Sequence, residues 1–143
     1  MSLSNKLKAQ AQNLSVLYVE DEKDTNSQIS QILKLFFKNV FSVFDGVEAL
    51  EISEKEDVDL LITDLSMPRI DGLSLIKEIK KYNYIEHIII LTAYSSSDNF
   101  GEVSNFKVDG VLLKPMRMDK MLDLLLKVTH MINIKKKKIK CIR

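Results

Sequence analysis

The chain has 143 residues, 45% apolar and 29% charged, enough for one globular domain with its own core. No apolar run approaches the roughly 20 residues of a membrane-spanning helix, and the polar opening MSLSNKLKAQAQN lacks the apolar segment of a secretory signal. Cys141 is the one cysteine, which excludes an internal disulfide or a cysteine-pair metal site and fits a reducing cytoplasm.

The net charge of +1 hides an asymmetry. Six of the 21 basic residues and none of the 20 acidic ones fall between Ile132 and Arg143, which leaves 15 basic against 20 acidic in residues 1–131, a net of −5. An acidic body argues against direct nucleic-acid binding by the folded domain. The lysines of 135–140 read first as a solvated helix end or the start of a linker. Contact with an anionic membrane surface or nucleic acid is the other reading, and steep salt dependence would mark it.

Residues 1–13 read as an extension, with Met1-Ser2-Leu3 of a kind that cloning leaves behind. Val16-Leu17-Tyr18-Val19 is then a continuous apolar run, as expected of a strand covered on both faces. Ile29, Ile32, Leu33, Phe36 and Phe37 follow at helical spacing. Val40–Phe44 reads as a second strand and Gly46–Lys55 as a helix with Val47, Leu50 and Ile52 inward. Leu60-Leu61-Ile62-Thr63 forms a third strand ending at Asp64. A third helix, marked by Leu73, Ile76 and Ile79, is entered through Asp71-Gly72. His87–Thr92 reads as a fourth strand, and Ser97–Lys107 as a weak helix weakened further by Gly101. Val111-Leu112-Leu113 is a short fifth strand. Met118–Met131 closes the domain as a helix with Met118, Met121, Leu122 and Leu125 inward. Five strands alternating with five helices predict an α/β fold, a parallel sheet covered on both faces. Residues 14–131 form the domain and 132–143 a basic tail.

In an open parallel sheet, ligands sit at the carboxyl ends of the strands. Here those ends carry Glu20-Asp21, Asp64, Thr92 and Lys114-Pro115. Three carboxylates, a hydroxyl and an ammonium should therefore meet on one rim. Clustered carboxylates suit Mg²⁺, aspartate can act as a nucleophile toward phosphorus, and charge neutralisation around a transferring phosphoryl group falls to the cation, Lys114 and Thr92. Each signal alone has a plain structural reading. Glu20-Asp21-Glu22 suits a helix start, and Asp64 suits a turn. Their placement on four separate strand ends is what favours chemistry. His87 and His130 have no partner at metal-ligand spacing and read as ordinary structural residues.

The segments VLYVEDE, LLITDLSMPRIDG, IIILTAY and GVLLKPM resemble the four signature blocks of two-component response-regulator receiver domains, the chemotaxis-regulator-like superfamily. They stand in the family's order and spacing across roughly residues 14–131. The resemblance implies a doubly wound, flavodoxin-like sheet in the order 2-1-3-4-5. It implies that Glu20 and Asp21 hold Mg²⁺ together with Asp64 and the backbone carbonyl of Ser66. Asp64 is the implied phosphoacceptor, Thr92 the switch hydroxyl, and Lys114 the lysine that pairs first with the acceptor and then with the phosphate. The Lys114–Pro115 bond is similar to the family's cis peptide. The implied donor is a sensor histidine kinase or phosphotransfer protein. The implied output is a changed preference for a downstream target protein or output domain, or for a homodimer. The implied switch residues are Thr92, Val111, Phe100 and Phe106, and the face that changes is built from the fourth predicted helix, the fifth strand and the last helix.

Several positions depart from the family pattern. Glu20 stands where Asp is commonest, which favours Asp21 as the direct metal ligand. Val111 replaces a frequent aromatic switch residue, and Met116 a frequent Phe. Tyr94 and Ser66 occupy positions that tune dephosphorylation, and an aromatic at Tyr94 would shield the phosphoryl group. Three rivals to a free-standing switch remain at this point. The chain is the receiver part of a longer regulator whose DNA-binding or enzymatic output lies outside it. It is a phosphohydrolase, although Ser66 stands where such enzymes carry a second acid. Or it is a receiver that binds partners without phosphorylation. A GxxxxGK[ST] phosphate loop is absent, which argues against an NTPase.

Overall fold

The computed structural model describes residues 2–65, 71–93 and 106–142. Five strands, β1 (Ser15–Val19), β2 (Asn39–Val43), β3 (Leu60–Asp64), β4 (His87–Ala93) and β5 (Gly110–Lys114), form one sheet in the order β2-β1-β3-β4-β5. Every pairing is parallel. The described helices are α1 (Leu3–Ala11), α2 (Lys23–Lys34), α3 (Gly46–Lys55), α4 (Gly72–Lys81) and α5 (Met118–Ile142). The strand order is the one that the sequence resemblance implies. The helix predicted over Ser97–Lys107 falls largely outside the described residues, as do Ser66, Tyr94 and Phe100.

Alternate strand residues face opposite sides, and two cores result. Val16, Tyr18, Leu60, Ile62, Ile89 and Leu91 pack with α1, α2 and α5 through Leu7, Leu33, Leu125 and Val128. Leu17, Val19, Leu61, Ile88 and Ile90 pack with α3 and α4 through Ala49, Leu75, Ile76 and Ile79. The central strands β1 and β3 are buried along their whole length, whereas β2 and β5 at the edges are partly exposed. This explains why the central strands read as unbroken apolar runs.

Helix starts follow local side-chain chemistry. Asp45 accepts the Glu48 N–H at 2.9 Å to start α3, and Asp71 accepts the Ser74 N–H at 2.8 Å to start α4. Glu22 caps α2, taking the Asp24 N–H at 3.2 Å and the Thr25 N–H at 2.6 Å.

Four local expectations shift. The amino-terminal extension folds as α1, with Leu7 and Ala11 buried in the first core. The last helix passes Met131, because Val128 and Ile132 continue its buried face and lysine propagates helix well. Met118, expected inward, is 45% exposed because it is the first residue of α5, whereas Met121 and Leu125 are buried. Phe36 and Phe37 are buried but lie beyond the end of α2, in the turn that leads to β2.

Candidate phosphoacceptor site

The rim at the carboxyl ends of the strands brings the predicted groups together. Lys114, the last residue of β5, sends its Nζ between two acids, 2.5 Å from Asp64 Oδ2 and 2.7 Å from Glu20 Oε1. Glu20 is fully buried, Asp64 is 6% exposed, and Asp21 faces solvent. One carboxylate oxygen from each of Glu20, Asp21 and Asp64 lies within 4.8 Å of the others. Thr92, on the neighbouring strand β4, is buried, and its Oγ1 donates to the Ala93 carbonyl at 3.2 Å. The Lys114–Pro115 peptide is cis.

The electrostatics follow from burial. Desolvation pushes the Glu20 carboxyl above the usual range, and the hydrogen bonds from Lys114 and the Glu22 N–H oppose it. Burial alone would lower Lys114. Its hydrogen bonds to Asp64 and Glu20 outweigh that, so the ammonium holds its proton more tightly than a free lysine. Three carboxylates and one ammonium leave a formal charge of −2. All the donors are hard oxygens, open to solvent on the Asp21 side. This set fits Mg²⁺, which takes a few carboxylates and keeps water or phosphate oxygens on its remaining positions.

Two neighbours frame the site that motif reading does not single out. Gly72 begins α4 directly beneath Asp64: a Cβ there would lie 2.2 Å from the Asp64 carbonyl oxygen and 2.6 Å from the Leu65 Cα. Its N–H donates to the Leu65 carbonyl at 2.9 Å. The sequence signal was Asp71-Gly72, readable only as turn chemistry. Tyr18, inward from β1, is fully buried, and its hydroxyl has no hydrogen-bond partner among the described residues. Burial, followed by the charges of Glu20 and Asp64, drives its ionisation far up.

The remaining candidates sit apart from the acids. Val111 on β5 is 37% exposed, and Phe106 is half-buried against the second core. Val111, Leu113, Pro115, Arg117, Lys120 and Lys127 line part of a groove of about 570 Å³ between β5 and α5. His87 is buried with its Nδ1 3.3 Å from Asp109 Oδ1, and His130 is exposed. At the opposite ends of the strands, before β4 and β3, Lys135 pairs with Glu86, and Lys136 lies 2.8 Å from Asp59. Among the described residues, no helix is long and apolar enough to cross a membrane.

Comparison with known proteins agrees with this geometry. Residues 16–126 match the response regulator receiver domain family, and the chain belongs to it. The chain is 30% identical over 108 residues to the chemotaxis protein CheY of Halobacterium salinarum, covering 76% of this chain and 90% of that one. It is 31% identical over 117 residues to a cyclic di-GMP phosphodiesterase of Thermotoga maritima, covering 82% of this chain but 30% of the relative. Among solved structures, the N-terminal domain of an uncharacterized protein from Wolinella succinogenes superimposes with a TM-score of 0.80 at 29% identity, over 85% of this chain and 98% of that one. The receiver domain of AraT, a response regulator from Geobacillus stearothermophilus, gives 0.74 at 29% identity over 86% and 98%. The family match begins after α1 and ends within α5, so α1 and the distal half of α5 lie outside it.

Proposed function

We propose that this receiver is a phosphorylation switch in a cytoplasmic two-component phosphorelay, with Asp64 as the acceptor. One observation carries the reading: the Lys114 ammonium bridges a buried Asp64 and a buried Glu20 beside Asp21, at the ends of three different strands. An ion pair built for stability alone needs one acid. A third carboxylate crowded onto the same rim costs stability unless a cation joins it.

Glu20, Asp21, Asp64 and the Ser66 carbonyl would hold Mg²⁺. When bound, Mg²⁺ neutralises the charge on the phosphoryl oxygens. An Asp64 oxygen attacks the phosphorus of a phosphohistidine on a sensor kinase or phosphotransfer protein. The new P–O bond forms as the P–N bond breaks, and the imidazole leaves. Lys114 exchanges one Asp64 oxygen for a phosphoryl oxygen. The Thr92 hydroxyl, now donating to a neighbouring carbonyl, turns to the phosphoryl group. That turn, felt along β4 and β5 through Val111 and through Phe100 and Phe106, alters the face offered to a downstream target, an attached output domain or a second copy. The chain is thus an acceptor that resets slowly by self-hydrolysis, with no turnover of a separate substrate.

The test is intact mass after incubation with acetyl phosphate and Mg²⁺. Gain of one phosphoryl group, lost without Mg²⁺ and lost in Asp64→Asn, is the expected result. No gain from acetyl phosphate, together with no binding of Mg²⁺ or beryllofluoride, would overturn it.

A further inference from the structure

We infer that Asn26 is a positioning residue for the metal-binding acids: its side-chain amide ties the Glu20 carbonyl to the end of β2 and so fixes where Glu20 and Asp21 stand. The inference rests on the receiver reading above and names a residue in α2 that takes no part in the chemistry itself.

Glu20 is the first residue beyond β1. Its N–H still donates to the Val43 carbonyl at 3.1 Å, but the sheet ladder ends there. From that point the chain must carry two carboxylates toward a third, against their mutual repulsion. The brace comes from α2. Asn26 is 2% exposed, and its Nδ2 donates one hydrogen to the Glu20 carbonyl at 2.9 Å and the other to the Val43 carbonyl at 2.9 Å. Both donors of one nitrogen are thereby spent on adjacent strand ends.

The amide cannot be turned over. Its Oδ1 accepts the Ser42 hydroxyl from β2 at 2.7 Å, with the Ser30 hydroxyl at 3.1 Å and the two hydroxyls 2.6 Å apart. A flipped amide would set its oxygen against two carbonyls, neither of which can donate to it. The carbonyls of Glu20 and Val43, which only accept, therefore orient the group, and the hydroxyls of Ser42 and Ser30 close the network around its oxygen. An apolar residue would serve the packing of α2 on β1 equally well. Only a double donor ties the carbonyls of Glu20 and Val43 together.

Removing a partner that orients metal ligands weakens metal binding about 10- to 100-fold. Mg²⁺ affinity is measured by calorimetry on folded protein, beside thermal melts in chelator. Asn26→Ala is expected to weaken Mg²⁺ about tenfold and to lower the melting temperature. Asn26→Asp, the same shape with acceptors in place of donors, is expected to weaken Mg²⁺ at least as much. Ser53→Ala, which breaks a buried 2.8 Å bond to the Ala49 carbonyl on the other face, is expected to lower the melting temperature alone. A role confined to folding predicts that Asn26→Ala behaves like Ser53→Ala, and that result overturns the inference. So does wild-type affinity in Asn26→Asp. If neither Asn26 variant folds, Asn26→Ser decides: it keeps a small polar side chain but has one donor and cannot hold both carbonyls, and unchanged Mg²⁺ affinity there also overturns the inference. Wild-type protein that binds no Mg²⁺ would instead overturn the receiver reading and this inference with it.

Discussion

Lys114 shows how one side chain can be structural and chemical at once. With Glu20 and Asp64 both buried, its ammonium satisfies one oxygen of each, and in the proposed transfer it is the group that meets a phosphoryl oxygen. Gly72 is demanded by proximity. A methyl group there would collide with the Asp64 backbone, so Gly72→Ala is expected to cost about 1–3 kcal/mol in urea unfolding and to slow labelling by acetyl phosphate. Asp71→Ala, which removes only the cap of α4, is expected to cost about 1 kcal/mol with labelling intact; equal labelling in both would refute the account. Tyr18 gives an opposite expectation. Its hydroxyl is buried without a described partner, so Tyr18→Phe should leave stability unchanged or raise it by about 1 kcal/mol, and a clear loss in the melt would contradict this. Glu20, Asp21, Asp64, Thr92 and Lys114 were legible in the sequence because each stands at a strand end, and a strand end can be read from a short apolar run. Gly72 and Asn26 were not. Their importance depends on how close α4 and α2 come to those ends, and no local pattern records that distance.

At the scale of elements, the strands and the middle helices could be read from periodicity, whereas α1 could not. It is nine residues long and mostly polar, too short to hold itself in water. Its stability comes from α5, on which it lies. Asn133 Nδ2 donates to the Gln10 carbonyl at 2.9 Å, and Leu7 and Ala11 share a core with Val128 and Ile132. Residues 1–13 read as an extension because their few apolar residues are scattered among polar ones, and the lysine run disguised the partner. Leu7→Ala is expected to cost about 2–5 kcal/mol and, in hydrogen exchange, to loosen the distal half of α5 more than β1 or β3. Uniform loosening would show that the two helices are not a unit. A smaller effect concerns pH. The hydrogen bond from Lys135 holds the Glu86 carboxyl below its ordinary value. That contribution is fully present above the unfolded value of about 4.3 and is lost as pH falls through the lower folded value. Because the pair is exposed, the loss should stay under about 1 kcal/mol and vanish in Lys135→Met, as acid titration of the melt would reveal.

For the whole molecule, ligand linkage gives a direct check on the rim. Mg²⁺ at 100 times its dissociation constant should stabilise the fold by about 2.7 kcal/mol, and Asp21→Asn should abolish most of the rise in melting temperature. An equal rise in both proteins would place the cation elsewhere. The two cores explain why a parallel sheet covered on both faces was accessible from sequence, since central strands apolar on both faces and edge strands diluted leave few arrangements, whereas the order itself came from the family resemblance. The pairing of Lys135 and Lys136 with Glu86 and Asp59 has a consequence for the molecule as an electrical object. Those acids stand at the starts of β4 and β3, and Asp64 ends β3, so the lysine pole and the carboxylate pole lie about 16 Å apart along that strand. In cellular salt, fields fade over about 8 Å. An approaching molecule therefore meets the two ends separately. Lys135 and Lys136 are matched by Glu86 and Asp59, whereas Glu20, Asp21 and Asp64 outnumber Lys114, so the uncompensated charge is expected at the rim, where a cation is drawn first.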